Sequence, residues 1–358
     1  MLARKTLKIL CSPRYHGRGY YKNGVQKAAR FLIKELRKAQ LKPLFGQSYF
    51  INFTHPVVVF PKDPVLIINN KKLIPGKEFI VSSSSGSLHL DTLLSYPLSL
   101  SRFNQYKKGF LVPEKKLTWS VSVRIEKEKT GFHILRGSCD TVIRSCRAVI
   151  KSKQKENFLE FILGGYVPGK TSDSMVVFCA HYDHLGRMGP SSLFPGANDN
   201  ASGTSMVLHL ARYYARNPGK YSMVFIFFPA EEAGLLGSQY FCENPPVDLK
   251  KIKFLINLDL LGTGEDGIMV VNGALHPEFF QLLEKINQKK NYVKEIRKRG
   301  PAANSDHYWF YRNDVPCFFI YTLGGVSYYH DIYDRWQTLP LTRYSEIFRL
   351  LTDFVAEL

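Results

Sequence analysis

With 358 residues, 45% of them hydrophobic and including 25 Phe and 20 Tyr, the chain can build one large α/β domain with an insert, or two domains. No apolar run approaches the roughly 20 residues needed to span a bilayer, so no membrane-spanning helix is expected. The formal charge of +19 raises the question of nucleic acid, but the basic residues are dispersed apart from a cluster between Lys294 and Arg299. No helix-turn-helix, zinc-finger or aromatic RNA-binding signature accompanies them, so the charge reads as a solvated basic surface and no nucleic-acid partner is expected.

In chain order, residues 1–10 are basic, with an apolar stretch far shorter than a signal-peptide core. Export to the periplasm or cell envelope would require a leader removed ahead of them; otherwise the cytoplasm is expected. Over residues 24–39, Val25, Ala28, Ala29, Leu32 and Leu36 recur at helical spacing and predict an amphipathic helix. From about 53 to 163 the character changes to a β-rich insert, with strands read over 57–60, 65–69, 117–125 and 158–163 and a serine-rich loop over 82–87. Residues 1–52 are then the first part of the main domain, and 164–358 its core. Cys139 and Cys146 are spaced to pair across a hairpin. With no C-x-x-C among the six cysteines, buried or free thiols are the simpler expectation.

Beyond residue 174 the pattern is strand, turn, helix, repeated. The runs 175–180 (MVVFCA), 223–228 (MVFIFF) and 253–258 (KFLINL) are nearly all apolar, as suits strands covered on both faces. Helices are read over 202–214, 278–289 and 341–357. The fold class expected is a three-layer α/β/α domain with a mixed, largely parallel sheet.

Each apolar run ends in residues that bind metals. The first enters His181-Tyr182-Asp183-His184, the second Pro229-Ala230-Glu231-Glu232, and the third Asp259. Ligand sites in open α/β sheets lie beyond the carboxyl ends of the strands, so these side chains are expected to converge. A turn-rich loop places Asp199 before a helix, and Tyr328-Tyr329-His330-Asp331 follows another apolar run and Gly324-Gly325. Imidazoles and carboxylates together suit zinc, with manganese or cobalt also accommodated. Five ligands exceed the three that usually hold one catalytic zinc, and they suit two metals if one carboxylate bridges. In the Glu-Glu pair, one carboxylate can bind metal while its neighbour stays free as a general base.

The ordered set AHYDH, GANDNASG, PAEEAG, NLDLLG and YYHD resembles the motifs of the co-catalytic two-zinc aminopeptidase family, bacterial leucyl-aminopeptidase-like members included. That family is related to glutamate carboxypeptidase-like enzymes and glutaminyl cyclases. The resemblance covers about 164–358 and the N-terminal stretch 12–43, and the insert is similar at most to a degenerate protease-associated domain. It implies that His181 and Asp259 hold one metal, that Glu232 and His330 hold the other, and that Asp199 bridges them. It further implies Glu231 as general base and Asp183 as the group orienting His181. The implied substrates are peptides with a free N-terminus. Ser305-Asp306-His307 resembles a family segment near the pocket, which makes Asp306 and His307 candidates there. Tyr328 and Tyr329, preceding His330, are candidates for shaping the substrate pocket. His184 is read as a strand-end or cleft residue.

A glutaminyl cyclase on the same scaffold and a carboxypeptidase remain as alternatives. The second needs cationic groups for a terminal carboxylate, and Arg312 and Arg335 are the ones available. A non-catalytic binding module would be expected to have lost ligands, and none is missing here.

Overall fold

Short apolar strands buried on both faces set the architecture of the computed structural model, which describes residues 2–97, 110–170 and 174–358. The chain opens with helix α1 (Leu2–Leu10), which buries Ala3, Leu7 and Leu10 along one face. Helix α2 (Gly24–Lys38) buries the stripe of Val25, Ala28, Ala29, Leu32 and Leu36 that its periodicity predicted. Strands β1 (Lys42–Pro43) and β2 (Phe50–Val59) follow.

An excursion then builds two small sheets. Its strands are β3 (Val65–Ile68), β4 (Lys71–Lys72), β5 (Phe79–Val81), β6 (Leu88–Pro97), β7 (Phe110–Glu114), β8 (Gly131–Leu135) and β9 (Val142–Ile150). They order as β4-β3-β9-β6 and β5-β8-β7. Leu66, Ile68, Phe79, Phe132, Ile134 and Ile143 form their shared core, which Leu185, Met188, Phe194 and Ile332 enter from outside the excursion. Residues 117–125, read as a strand from their alternation, form no ladder. Trp119 N–H donates to His330 O at 3.0 Å and Ser122 O accepts from Val58 N–H at 2.9 Å, so the backbone bonds to two separate neighbours. The alternation there reflects packing of Leu117 and Trp119 into the small core.

Strand β10 (Lys153–Val167) returns the chain and pairs antiparallel with β2, Phe158 opposite His55 and Leu163 opposite Phe50. The expected insert boundaries at 53 and 163 therefore fall inside two strands of the main sheet. Next come β11 (Met175–His181), the hairpin β12 (Gly186–Met188) and β13 (Ser192–Phe194), and helix α3 (Gly203–Arg216). Then follow β14 (Ser222–Phe228), α4 (Leu236–Glu243), β15 (Ile252–Leu258), β16 (Gly267–Val271), α5 (Pro277–Lys290), β17 (Ile296–Arg299), α6 (His307–Tyr311), β18 (Cys317–Leu323) and α7 (Tyr344–Ala356).

The main sheet runs β1-β10-β14-β11-β15-β18-β16-β17, with β2 also on β10. Its centre, β14-β11-β15-β18, is parallel, and β10 and β16 flank it antiparallel. Val176, Phe178 and Ala180 of β11 join one core with Phe225 and Phe227 of β14 and Phe254 and Ile256 of β15. Val177 and Cys179 join the opposite core with Ile226, Phe228, Phe241 of α4 and Phe310 of α6. Both faces are dry, and that is why these strands read as unbroken apolar runs. The expected α/β/α class with a mixed sheet is the one observed; among the described residues four of its pairings are parallel and four antiparallel, so it is less parallel than expected. All six cysteines are free. Among the described residues, no helix is long and apolar enough to cross a membrane.

Candidate metal centre

Strand register places the predicted residues along one edge. His181 closes β11 opposite Phe228, the last residue of β14, and Leu258 at the end of β15 pairs with Ile320 of β18. Glu231, Glu232 and Asp259 lie just past those ends, and His330 arrives on the segment after β18. His181 and Asp259 are buried.

Asp199 stands between two imidazoles. Its Oδ1 lies 3.5 Å from His181 Nε2 and its Oδ2 lies 3.1 Å from His330 Nε2. His181 Nε2 is also 3.3 Å from Asp259 Oδ2, while His330 Nε2 is 3.1 Å from Glu232 Oε2. Two donor sets, His181-Asp259 and His330-Glu232, thus share one carboxylate. Donor atoms of His181, Glu231 and Asp259 also lie within 4.8 Å of one another, as do those of His184, Asp199 and Glu232. The first description is preferred because it uses both oxygens of Asp199. In it, His184 Nδ1 meets Glu232 Oε1 at 2.7 Å and so fixes the carboxylate whose other oxygen faces His330.

The polar residues of the GANDNASG stretch are struts. Asn200 Nδ2 donates to Leu258 O at 3.0 Å, and its Oδ1 accepts the Gly203 N–H at 2.8 Å. Asn198 Oδ1 accepts the Gly262 N–H, and Ser202 Oγ accepts the Leu261 N–H, both at 2.8 Å. Thr204 Oγ1 donates to His181 O at 2.8 Å. Gly203 lets α3 start against the end of β15, because a Cβ there would stand 2.3 Å from Leu258 O. Gly196 has φ +60°, and a Cβ on it would meet His184 Cδ2 at 2.3 Å.

Three further groups hold the loops. Asp183 Oδ1 lies 3.5 Å from His181 Nδ1, and its two oxygens accept the N–H groups of Glu231 and Glu232 at 3.3 Å each. Asp183 therefore orients the Glu pair as well as the imidazole. Asp334 accepts the N–H of Asn198 at 2.8 and 3.0 Å and that of Asp199 at 3.0 Å. The buried Arg18 guanidinium donates to the carbonyls of Tyr182, Pro195 and Gly196 at 2.9, 2.8 and 2.7 Å. Ala230, Leu260 and His330 all have φ between 53 and 57°, so the backbone is strained beside three of the site's side chains.

The electrostatics of the cluster call for cations. Burial opposes charge on His181, yet the carboxylates of Glu231 and Asp259 raise its pKa well above the usual range. Burial likewise opposes charge on His330, and Glu232 and Asp199 still push it up to about 11. Glu232 is the converse: burial raises it, but His330 and His184 hold it well below the usual carboxylate range. Glu231 rises well above that range, through burial first and then through Glu232, against the pull of His181. It is partly open to the cavity, but the protein around it displaces most of the water that would stabilise its charge. Asp259 Oδ1 is buried without a hydrogen-bond partner. A mixed imidazole–carboxylate set with such an orphaned oxygen fits divalent metal ions.

A cavity of about 200 Å³ opens over the cluster, lined by Asp199, Glu231, Asp259, Leu260, Asn304, Phe319, Tyr321, Tyr329 and His330. Tyr329 stacks on His330, ring centroids 3.8 Å apart. Tyr328 is 42% exposed, packs on Tyr333 and does not line the cavity. Asp306 and His307 are buried and off the lining. Burial pushes the Asp306 carboxyl up to about 7. Arg312 and Arg335 are both off the lining too; Arg312 bonds Tyr308 on the surface. Sequence reading missed the contacts of His184, Asp334 and Arg18 and the walls built by Leu260, Asn304, Phe319 and Tyr321. The HYDH spacing was a signal for His184. Arg18 and Asp334 belong to remote segments that only the tertiary structure brings to the loop.

Residues 162–355, more than half of the chain, match the model of Peptidase family M28. A probable leucine aminopeptidase of Arthroderma benhamiae is 26% identical over 220 residues, 58% of this chain and 58% of that relative. The chain thus spans less than two thirds of that curated relative's length. BSAP, a zinc aminopeptidase from Bacillus subtilis, shares the fold with a TM-score of 0.71 at 20% identity, over 99% of this chain and 94% of that one. A Bacteroides thetaiotaomicron glutaminyl cyclase shares it with a TM-score of 0.59 at 14% identity, over 99% and 97%. Every strand end that carries the imidazole and carboxylate cluster lies inside the matched segment, and the chain belongs to peptidase family M28.

Proposed function

We propose that this chain is an aminopeptidase that uses two zinc ions, with manganese or cobalt as possible replacements, and releases the N-terminal residue of peptides. The observation that carries the reading is Asp199, whose two oxygens face His181 and His330 separately. In this reading His181, Asp199 and Asp259 hold one ion, and His330, Asp199 and Glu232 the other. When bound, the pair would supply Lewis acidity and a water acidified toward neutral pH.

The chain's own groups do the rest. Glu231 accepts a proton from the attacking water at its carboxylate and returns it to the departing amine. Its carboxylate lines the cavity beside the cluster and is the member of the Glu pair left free of metal in this reading. Asp183 keeps His181 and the backbone of the Glu pair in place. With Asp199 and Asp259 engaged by the ions in this reading, Glu231 is the remaining carboxylate on the cavity lining. Among the described residues that line it, no Lys or Arg is present to receive a C-terminal carboxylate, which disfavours the carboxypeptidase alternative. Leu260, Phe319 and Tyr321 offer an apolar wall to the N-terminal side chain.

The test is hydrolysis of aminoacyl-p-nitroanilides, free and N-acetylated, by wild type and Glu231→Gln, with metal content measured on both. The expected result is turnover of free-amine apolar substrates only, and a loss of at least about 10³-fold in Glu231→Gln with metal retained. Cyclisation of a Gln-initiated peptide without any hydrolysis would move the assignment to a glutaminyl cyclase. A wild type that takes up no metal would end the reading.

A further inference from the structure

A second cavity of about 520 Å³ lies between α1, the excursion, the β13 hairpin and the segment after His330, and it shares no lining residue with the cavity over the cluster. Its volume is that of a small-molecule site. The body is apolar, built by Ile74, Leu193, Pro195, Ile332 and Trp336. Three cations, Lys8, Lys77 and Arg335, stand on the same lining, and no carboxylate does.

Among the described residues no ion pair answers those charges, although Arg335 acts on the neighbouring Asp331 through space. Lys8 lies over the Trp336 ring at 5.6 Å, and Arg335 spends its Nε on Ile332 O at 2.9 Å and its face on Tyr333. Among the described residues, no carboxylate comes within ion-pair distance of any of the three. Asp331 and Asp334, the acids adjoining Arg335, are engaged by backbone N–H groups: Asp331 by Tyr333 at 2.6 Å, Asp334 by Asn198 and Asp199. One polar atom inside the cavity wall is also unmatched. Ser192 is 3% exposed, and its Oγ has no hydrogen-bond partner. Gly76, with φ +80°, keeps the space before it open, because a Cβ there would stand 3.2 Å from that hydroxyl. A buried hydroxyl left unpaired costs free energy, and like charges around one hollow repel, so both features favour the same kind of guest.

We propose that this cavity binds an organic anion, an apolar body bearing a carboxylate or phosphate, whose charge meets Lys8, Lys77 and Arg335 and whose acceptor oxygen takes the Ser192 hydroxyl. The site is independent of the metal centre and of the proposed peptidase activity.

The experiment is calorimetric titration of the metal-loaded full chain with N-acetyl-phenylalanine, phenyl phosphate and the neutral twin N-acetyl-phenylalaninamide, none of which carries the free amine a substrate would. At least one anion is expected to bind saturably, and the neutral twin at least tenfold more weakly; whichever anion binds names the source of the ligand. Lys8→Gln combined with Lys77→Gln, both on the surface, should weaken binding by about fivefold while leaving the melting temperature unchanged. Hydrogen exchange should show protection at residues 8–13 and 191–195. No saturation by either anion up to about 10 mM, equal binding of the neutral twin, or protection confined to Leu260 and 319–321 would overturn the proposal.

Discussion

Asp334 offers the sharpest test of how the loop around Asp199 is held. Its buried carboxylate accepts two backbone N–H groups, from Asn198 and Asp199, at 2.8–3.0 Å. Asp334→Ala leaves both donors without an acceptor, and at 1–3 kcal/mol each the loss is about 2–6 kcal/mol. Asp334→Asn can place its amide oxygen where Oδ2 now stands and keep both bonds, but its NH2 then faces the Asn198 N–H across the 2.8 Å now spanned to Oδ1. The amide also forfeits the charge that strengthens those bonds, so about half the alanine loss is expected. Because the freed N–H groups belong to Asp199 and its neighbour, metal affinity should fall along with folding stability. Zinc competition against a chromogenic chelator and urea unfolding measure the two separately. Stability and zinc affinity within about 0.5 kcal/mol of wild type for Asp334→Ala would refute the assignment, because that is the scale of an ordinary surface change.

Three other outcomes are expected. His184→Ala removes the 2.7 Å contact to Glu232 Oε1 and should weaken the metal proposed at Glu232 and His330 by about 10–100-fold, read by chelator competition, with little change in the fold. Chelating the metal at pH 7 should lower the melting temperature, and excess zinc should restore it, because ligands that bind only the folded state stabilise it by mass action; a melting curve indifferent to chelator would count against any metal at this centre. Glu160 gives a pH signature away from the cluster. It is buried against His55, and burial lifts its carboxyl to about 7, with the His55 hydrogen bond and charge pulling the other way. The folded pKa lies above the unfolded one, so its contribution to stability is complete below about 4.5 and is lost as pH rises through about 7. Relative to Glu160→Gln, wild type should therefore lose stability between pH 5 and pH 8, by no more than about 3 kcal/mol. Parallel melting curves for the two proteins would remove Glu160 from the account.

What the sequence made legible followed from burial on two faces. Runs such as MVFIFF suit strands in a covered sheet, and a covered parallel sheet has one edge at which strand-end residues meet. His181, Glu231, Glu232 and Asp259 were readable for that reason. Asp199 and His330 sit on loops, where no periodicity acts; residue type and position nominated them, and the motif resemblance supplied their roles. The excursion was harder to read. Its strands β5 and β8 are short and β9 is half exposed, and residues 117–125 alternate in sequence because Leu117 and Trp119 pack inward from an unpaired segment. The pocket candidates divide in the same way. Tyr329 shares the strand-end segment with His330 and lines the cavity, whereas Tyr328, one residue earlier, points to Tyr333.

The composition of the cluster explains its supports. Asp183, Asp199, Glu231, Glu232, Asp259, Asp306 and Asp334 crowd into one region with only His181, His184 and His330 to balance them. The carboxylates of Glu231 and Asp259 raise the proton affinity of His181, while Glu231 and Asp306 are raised first by their own burial. Negative charge of that density would push the loops apart unless hydrogen bonds tied them down. Asn198, Asn200, Ser202 and Thr204 tie the Asp199 loop to the ends of β15 and β11, and Arg18 ties Tyr182 to Pro195 and Gly196 through uncharged carbonyls. Arg18 therefore braces the loop without neutralising an acid, and the cluster keeps its negative charge for the cations it is proposed to hold. An arginine placed against Asp199 or Asp259 instead would have stabilised the same loops and removed the affinity for metal.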